Sequence, residues 1–156
     1  MEPSSFDELA FFRTLEQSGA RALLIGRRAL VLLGLPVLTA DYDFWIAIDD
    51  IETFNAAAAQ FDLQSARTPE EARRHGRYVL ENDEHVDVLV ARAVPTMDGS
   101  PVQFDELWQK RVRVAIDDVQ VWLPSLDDLI RTKQIRTRPK DLEDIRLLRI
   151  LKETRS

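Results

Sequence analysis

Two aspartates that stand two residues apart in a strongly apolar segment constrain the fold of this chain more than any other feature. The segment is "DYDFWIAI" (41–48), whose aromatic and β-branched residues predict a β-strand. Side chains alternate along a strand, so Asp41 and Asp43 are expected on one face and Tyr42 and Phe44 on the other, in the core. Neighbouring carboxylates repel each other and lose hydration. A lysine or arginine, solvent at a strand end, or a divalent metal must therefore offset them.

A glycine turn precedes this strand. The segment "ALLIG" (22–26) is a short apolar run that ends at glycine and predicts a buried strand, and "RRALVLL" (27–33) is typical of a short helix. A helix that starts after Gly26 leaves backbone N–H groups without partners, and these groups and the helix dipole favour a phosphate. The sequence therefore places a predicted anion site before the pair of carboxylates.

A third carboxylate lies in a later predicted hairpin. The segments "RYVLEN" and "HVDVLVA" flank a short polar turn, and Asp87 stands between two valines, where an acid needs a partner. Three acids on neighbouring strands would suit one or two Mg²⁺ ions, which bind carboxylate and phosphate oxygens. The alternative is that all three acids lie at exposed strand ends, where they cap turns or pair with arginines.

The rest of the pattern alternates helices with short strands. Helices are predicted after Ser5, after Asp50, at Thr68-Pro69, from Ser125 to Arg136 and from Pro139, the last with Leu142, Ile145, Leu148 and Leu151 on one face. "AVPTMDGSP" predicts a loop, "FDELWQKR" a short helix, and "RVRVAI-DD-VQVWL" a second hairpin. These elements predict one α+β domain over residues 1–156, in which a small mixed central β-sheet is flanked by helices and followed by C-terminal helices.

Composition narrows the classes of function. The chain has no cysteine, which excludes disulfides and cysteine-bound metal. No apolar stretch approaches the roughly 20 residues of a membrane span, and the N-terminus lacks the basic start of a signal peptide. A cytoplasmic protein without a membrane partner is therefore expected. The net charge of −6 argues against nucleic-acid binding through the overall field, although residues 131–155 are locally basic.

The segment "IGRRALVLLGLPVLTADYDFWI" resembles the signature of minimal nucleotidyltransferase-like proteins in the DNA polymerase β-type nucleotidyltransferase superfamily. That signature is an apolar residue, Gly, Gly or Ser, a helix-length spacer and then Asp-apolar-Asp-apolar. Ile25 and Gly26 match its start, and residues 41–44 match its end. Thr39 resembles the threonine of "T-x-D-x-D" in bacterial members. The later "PSLDDLIRTKQIRTRPKDLEDIRLLRIL" is similar to the closing segment of abortive-infection AbiEii-like and related bacterial members.

The resemblance implies a nucleotidyltransferase-like fold and the transfer of a nucleoside monophosphate from a nucleoside triphosphate to a hydroxyl. Mg²⁺ would carry the triphosphate, and Asp87 would also help to activate the hydroxyl. The site residues that it implies are Asp41, Asp43 and Asp87 as catalytic and metal ligands, Lys133 as a catalytic cation, and Gly26, Arg27 and Arg28 for the nucleotide phosphates.

The signature has one departure, because Arg27 stands where the family has a small residue. This arginine either blocks the approach of a phosphate to the backbone or turns outward and clamps it with two hydrogen bonds. We therefore expect either an active transferase, with an RNA, a protein or a small molecule as acceptor, or a catalytically silent binding protein of the same fold. A toxin–antitoxin pair with an antitoxin partner is one setting for such a protein. A metal-dependent phosphohydrolase that uses the same acids is a further alternative.

Several charged residues outside the signature have structural interpretations. Asp141 and Asp144 begin the last predicted helix, where acids favour the helix dipole. Arginines surround the hairpin that holds Asp87, and nearby glutamates are their expected partners; the arginines are Arg73, Arg74 and Arg77, and the glutamates are Glu70, Glu71 and Glu81. Phosphate or RNA is the alternative partner for these arginines.

Overall fold

The computed structural model describes residues 6–155, where α-helices and short β-strands follow one another. The helices are α1 (Glu8–Ser18), α2 (Gly26–Leu32), α3 (Ile51–Ala59), α4 (Pro69–His75), α5 (Phe104–Gln109), α6 (Leu126–Lys133) and α7 (Pro139–Arg155). The strands are β1 (Ala22–Ile25), β2 (Asp41–Ile46), β3 (Gln64–Ser65), β4 (Arg77–Glu81), β5 (His85–Leu89), β6 (Ala93–Pro95), β7 (Pro101–Gln103), β8 (Val112–Ile116) and β9 (Val119–Leu123).

The central sheet is mixed, as predicted. Its strand order is β1-β2-β5-β4-β3, and β2 and β5 run parallel while the other neighbours are antiparallel. Parallel neighbours need a long crossover, and here it includes α3, β3, α4 and β4. The register sets Asp43 opposite Asp87 and Asp41 opposite His85. The α+β fold class expected from the sequence is confirmed.

One face of the sheet is covered by the main hydrophobic core. Tyr42 and Phe44 point into this core, where their rings contact Phe11 of α1 at centroid distances of 6.1 and 6.0 Å. Phe44 also contacts Phe54 of α3 at 5.3 Å. The alternation predicted for "DYDFWIAI" is therefore correct, and it turns both aspartates to the opposite face.

The opposite face is apolar at one end only. Trp45 is fully buried there beside Phe104 of α5, and its indole N–H donates to the carbonyl oxygen of Ala91 at 2.8 Å. This second apolar cluster also includes Leu23 and Val102. Since Asp43 is two residues before Trp45 on the same face of β2, the carboxylates lie just beyond the edge of this second apolar cluster.

Four details differ from the expectations. Residues 93–95 and 101–103, expected in a loop, form the β6–β7 hairpin. Helix α6 ends at Lys133, before Arg136. Ser5 lies outside the described residues, and the side chain of Asp7 caps α1 by accepting from the Ala10 N–H. In α3, the side chain of Asp50 makes no cap bond because it accepts from Arg21.

The inner face of α7 also differs from the apolar face expected from the sequence, because it includes charged residues. Leu142, expected to be buried, is 56% exposed, whereas Asp141 and Asp144 are buried with Ile145 and Leu148. Helices α6 and α7 pack on each other and on α2, so these acids lie behind the glycine turn. No helix within residues 6–155 is both long enough and apolar enough to cross a membrane.

Candidate active site

The two aspartates of β2 line a pocket, and neither of them forms an ion pair with a lysine or arginine among the described residues. Asp41 is exposed and Asp43 is half-buried, and both line the pocket with Asp87. Among the described residues, no lysine or arginine forms an ion pair with Asp41 or Asp43. The repulsion that the sequence predicts between these carboxylates is therefore not offset by a protein cation in direct contact.

The proton affinity of Asp43 reflects this arrangement. Burial is the main cause that raises its pKa to about 6, and the charge of Asp87 adds to it. Lys133 acts in the opposite direction, through its positive charge. The charged form of Asp43 is therefore unfavourable in this environment, and a cation bound next to it would stabilise that form.

The glycine turn lies directly against Asp43. Gly26 has a φ of +69°, a backbone conformation that side chains rarely adopt. A Cβ atom added there would lie 2.9 Å from both Cβ and Cγ of Asp43, which is closer than real contacts allow. The turn therefore requires glycine both for its conformation and for the approach of the carboxylate.

Lys133 and Arg27 share one buried carboxylate. Lys133 Nζ lies 2.8 Å from Asp144 Oδ2, and Arg27 Nε donates to the same oxygen at 3.2 Å. Asp144 is fully buried, and the Lys133 side chain is only 10% exposed, so Lys133 is not a surface lysine. We call Arg27, Lys133 and Asp144 the cation cluster; it joins the glycine turn to α6 and α7.

The two arginines after Gly26 point to different places. Arg27 lines the pocket, and its guanidinium is held by Asp144 and by the carbonyl oxygen of Leu38 at 3.4 Å. Arg28 does not line the pocket. It stacks on the Tyr42 ring, 4.2 Å from the centroid, and donates to the carbonyl oxygen of Thr39 at 3.1 Å. Arg28 therefore braces the start of β2, apart from the other residues predicted to hold the nucleotide.

The third acid has a protein partner. His85 Nε2 lies 3.2 Å from Asp87 Oδ2, and its other ring nitrogen faces Glu81 at 3.4 Å. Within residues 6–155, no three acidic or histidine side chains are arranged as a set of metal ligands. The juxtaposition of Asp43 and Asp87 is thus as the sequence indicates, whereas their joint coordination of a metal stays a prediction.

The pocket has a volume of about 290 Å³ and is mainly polar and charged. Its floor is the open end of the sheet, and its wall is the segment between α6 and α7. The basic side chains that line it are Arg27, Arg77, Lys133, Arg136, Arg138 and Lys140. Arg138 is neutralised by Asp141, whose carboxylate accepts from its Nε at 2.8 Å and from its backbone N–H at 3.2 Å.

Two features of the site escaped the sequence interpretation. Asp144 was expected to serve only the helix start, but its spacing from Asp141 and Ile145 places it on the inner face of α7. Among the arginines near the hairpin, Arg73 pairs with Glu52, which lies earlier in the chain, in α3. The Arg77 side chain forms no hydrogen bond or ion pair with any of the residues 6–155. The expectation that nearby glutamates neutralise these two arginines was wrong.

Comparison of the sequence with models of known protein families gives one match. The family model described as "Nucleotidyltransferase of unknown function (DUF6036)" matches residues 10–155. No curated protein sequence matches the chain significantly.

Solved structures of low sequence identity share the fold. A Thermotoga maritima protein described as a candidate nucleotidyltransferase has a TM-score of 0.60 and 16% identity, over 92% of this chain and 89% of that one. The antibiotic-resistance factor ANT(2'')-Ia has a TM-score of 0.63 and 13% identity, over 90% and 79% of the two chains. The lincosamide antibiotic adenylyltransferase LnuA, bound to lincomycin, has a TM-score of 0.62 and 14% identity, over 94% and 98%.

Proposed function

Because this chain belongs to the DUF6036 family of nucleotidyltransferases, we propose that it transfers a nucleoside monophosphate from a nucleoside triphosphate to a hydroxyl group, with Mg²⁺ as cofactor. The observation that carries this proposal is the contact between the glycine turn and an uncompensated aspartate pair. Gly26 lies against Asp43, and neither Asp41 nor Asp43 has a cation partner among the described residues. A metal-bound triphosphate supplies both the positive charge and the phosphates that such a junction lacks.

The side chains present fit Mg²⁺. It is a hard cation that binds through one or two carboxylates and keeps waters and substrate phosphates as its other ligands. Asp41 and Asp43 offer oxygens of this kind, and burial together with the charge of Asp87 raises the pKa of Asp43, which supports a role for a bound cation beside it. When bound, Mg²⁺ neutralises negative charge on the triphosphate and polarises it for displacement. We assign Asp41 and Asp43 as its ligands, with Asp87 as a third.

The cation cluster has the right position to bind the phosphates. Its two cations share one carboxylate, so it keeps a net positive charge beside the glycine turn. We propose that Lys133 stabilises the charge that develops on the leaving pyrophosphate, and that Arg27 holds the phosphates rather than excluding them. The position of Arg27 supports the role of holding the phosphates, because its side chain is hydrogen-bonded to Asp144 and lines the pocket.

The reaction is a displacement at the α-phosphorus. The acceptor oxygen forms a bond to phosphorus as the bond to the pyrophosphate oxygen breaks, and the hydroxyl proton passes to Asp87. Asp87 is held by His85, which keeps its carboxylate at the pocket side of β5. The products are a phosphodiester on the acceptor and pyrophosphate.

Finer assignments rest on the resemblance described above. We propose a cytoplasmic bacterial enzyme similar to the AbiEii-like members, with a toxin–antitoxin setting and an antitoxin partner as one form of this proposal. An RNA, a protein and a small molecule are all acceptors compatible with it.

The test is Mg²⁺-dependent binding of ATP, GTP, CTP and UTP by calorimetry. We expect at least one nucleotide to bind only with Mg²⁺, and binding to be lost in the double variant Asp41→Asn/Asp43→Asn. A matched control is Asp49→Asn/Asp62→Asn, which removes the same charge from two exposed positions that do not line this pocket. Absence of binding by the folded wild type would overturn the proposal.

One further variant and the identity of the reaction products separate the alternatives. If Arg27 binds phosphate, Arg27→Ser should weaken nucleotide binding by about tenfold. A gain of binding in Arg27→Ser would instead identify a silent protein whose site the arginine blocks. Release of inorganic phosphate, with no pyrophosphate and no labelled acceptor, would identify a phosphohydrolase.

A further inference from the structure

Within residues 6–155, Arg77 is the one positively charged strand residue that lines the pocket. It lies at the start of β4, opposite Leu89 of β5 and on the same face of the sheet as Asp87. Its carbonyl oxygen accepts from Arg67 at 2.7 Å, but its guanidinium has no partner within residues 6–155. A guanidinium that lines a pocket without a carboxylate is free to bind a ligand.

The order of the strands places Arg77 on the far side of the reaction centre. The glycine turn follows β1, the aspartate pair lies on β2, Asp87 on β5 and Arg77 on β4, in that order across the sheet. In an in-line displacement the attacking and leaving oxygens are on opposite sides of the phosphorus. With the pyrophosphate on the glycine-turn side, the acceptor approaches over β5 and β4. We propose that Arg77 binds the acceptor, and that the acceptor carries a phosphate near its reacting hydroxyl; this rests on the function proposed above.

The triphosphate is an unsuitable partner for Arg77. Neighbouring strands lie about 4.8 Å apart, so β4 is roughly 14 Å from β1 across the sheet. The cation cluster already supplies Arg27 and Lys133 beside the glycine turn. A nucleotide whose phosphates lie at that turn therefore leaves Arg77 to the other substrate.

The charges that line the pocket favour an anionic acceptor over a polycationic one. The acids that line it are Asp41, Asp43, Asp87 and Asp141, of which the first three face the reaction centre and the last is neutralised by Arg138. By contrast, the side chains of Arg136 and Lys140 line the same pocket as Arg77 and form no ion pair with any described residue. An acceptor with amino groups would be repelled by the three unpaired cations Arg77, Arg136 and Lys140 in this pocket, whereas a phosphate meets partners that match its charge and geometry.

The phosphate has two chemical sources, a phosphomonoester on a small sugar-like molecule or a phosphodiester in a polynucleotide. The experiment compares three probes by calorimetry: ribose, ribose 5-phosphate and the trinucleotide rArArA with a 5′-hydroxyl. Each is titrated into protein saturated with Mg²⁺ and the α,β-methylene analogue of the nucleotide that binds most tightly. We expect at least one phosphate-bearing probe to bind at least tenfold more tightly than ribose. Preference for ribose 5-phosphate would identify the first source, and preference for the trinucleotide the second.

Arg77→Gln should weaken the binding of the preferred phosphate-bearing probe by about tenfold or more. The affinity for the nucleotide analogue should change less than twofold. Arg77→Lys should restore part of the loss, because it keeps the charge. The matched control is Arg74→Gln, which removes an exposed arginine of α4 that does not line the pocket, and it should leave both affinities unchanged.

The outcomes separate the two proposals. If no nucleotide binds with Mg²⁺, the proposed function fails and this inference fails with it. If the nucleotide binds normally but neither phosphate-bearing probe binds better than ribose, only this inference is overturned. The same conclusion follows if Arg77→Gln weakens the nucleotide analogue as much as the probe.

Discussion

Two pairs of aspartates, one on β2 and one on α7, lie at or near the pocket in opposite surroundings. The helix pair, Asp141 and Asp144, is almost fully buried, yet each carboxylate has a cation within 2.8 Å, Arg138 or Lys133. The strand pair, Asp41 and Asp43, is more accessible, yet it has no such partner among the described residues. Deep burial therefore does not by itself show which acids lack a cationic partner among the described residues.

The difference follows from the cost of desolvating a charge. A buried carboxylate must be paired and hydrogen-bonded, or it destabilises the protein. Both carboxylates of the helix pair find cations among the described residues, and Asp144 Oδ1, which accepts no hydrogen bond there, still lies 3.2 Å from Arg27 Nη2. Asp144 thereby fixes α7 against α2 and α6. On β2, Asp43 does not meet this requirement, and a cation bound beside Asp43 would relieve the unfavourable free energy of its buried charge.

The largest effect is expected from Asp144→Ala. This change leaves Arg27 and Lys133 without the carboxylate that they share, and breaking a buried ion pair costs about 3–5 kcal/mol. Urea denaturation at pH 7.5 measures it as a lower unfolding midpoint. The matched control is Glu143→Gln, next to it in α7, which loses only an exposed pair with Arg146 and should unfold like the wild type. Equal stability of the two variants would show that the cation cluster does not hold α7.

The next effect is expected from Gly26→Ala. An alanine with positive φ costs about 1–3 kcal/mol, and its Cβ would also press on Asp43. Gly34→Ala is the control, because Gly34 has a φ of +85° and its added Cβ would meet nothing within 4 Å. The free energy of unfolding should therefore fall further for Gly26→Ala. Adding Asp43→Gly, which removes both Cβ and Cγ of residue 43, should remove this excess when the double variant is compared with Asp43→Gly alone. An excess that persists would place the strain elsewhere.

A smaller effect of opposite sign is expected from Asp43→Asn. The pKa of Asp43 is raised from 3.8 to about 6, so the folded state holds this proton more tightly than the unfolded state. The protein therefore loses stability as pH rises from about 4 to above 6, by about 1–3 kcal/mol for a half-buried group. The asparagine variant should be more stable than the wild type at pH 7.5 and similar to it at pH 4. Denaturation at both pH values, without divalent cations, checks this difference.

The smallest effect is expected from Asp118→Asn. Its carboxylate accepts two hydrogen bonds from Arg13 at 2.9 Å, but the pair lies at the surface, where water and salt screen it. The unfolding midpoint should shift slightly in low salt and not at all in 1 M NaCl. A large loss in both salts would mean that partner geometry, rather than burial, decides what an aspartate contributes here.

The sequence was most informative where a pattern is local. Alternation in β2 and the glycine after β1 predict the position of the aspartates and of the turn, because both depend on chain geometry over a few residues. The β6–β7 hairpin was missed because its strands have three residues each and include Pro95 and Pro101, which are typical of loops. Asp144 and Arg77 were misread for another reason. Their partners, or the lack of them, depend on residues distant in sequence that only packing brings near or keeps away.

The parallel pairing of β2 with β5 has a consequence for how the pocket forms. Asp43 and Asp87 are neighbours only after the crossover between them, with its two helices and two strands, has folded. Closing such a long loop is slow compared with forming a hairpin, so this pairing is expected late in folding. A partly folded chain would thus have no site. A nucleotide would stabilise only the complete native state, and its binding would serve as a direct measure of how many molecules have finished folding.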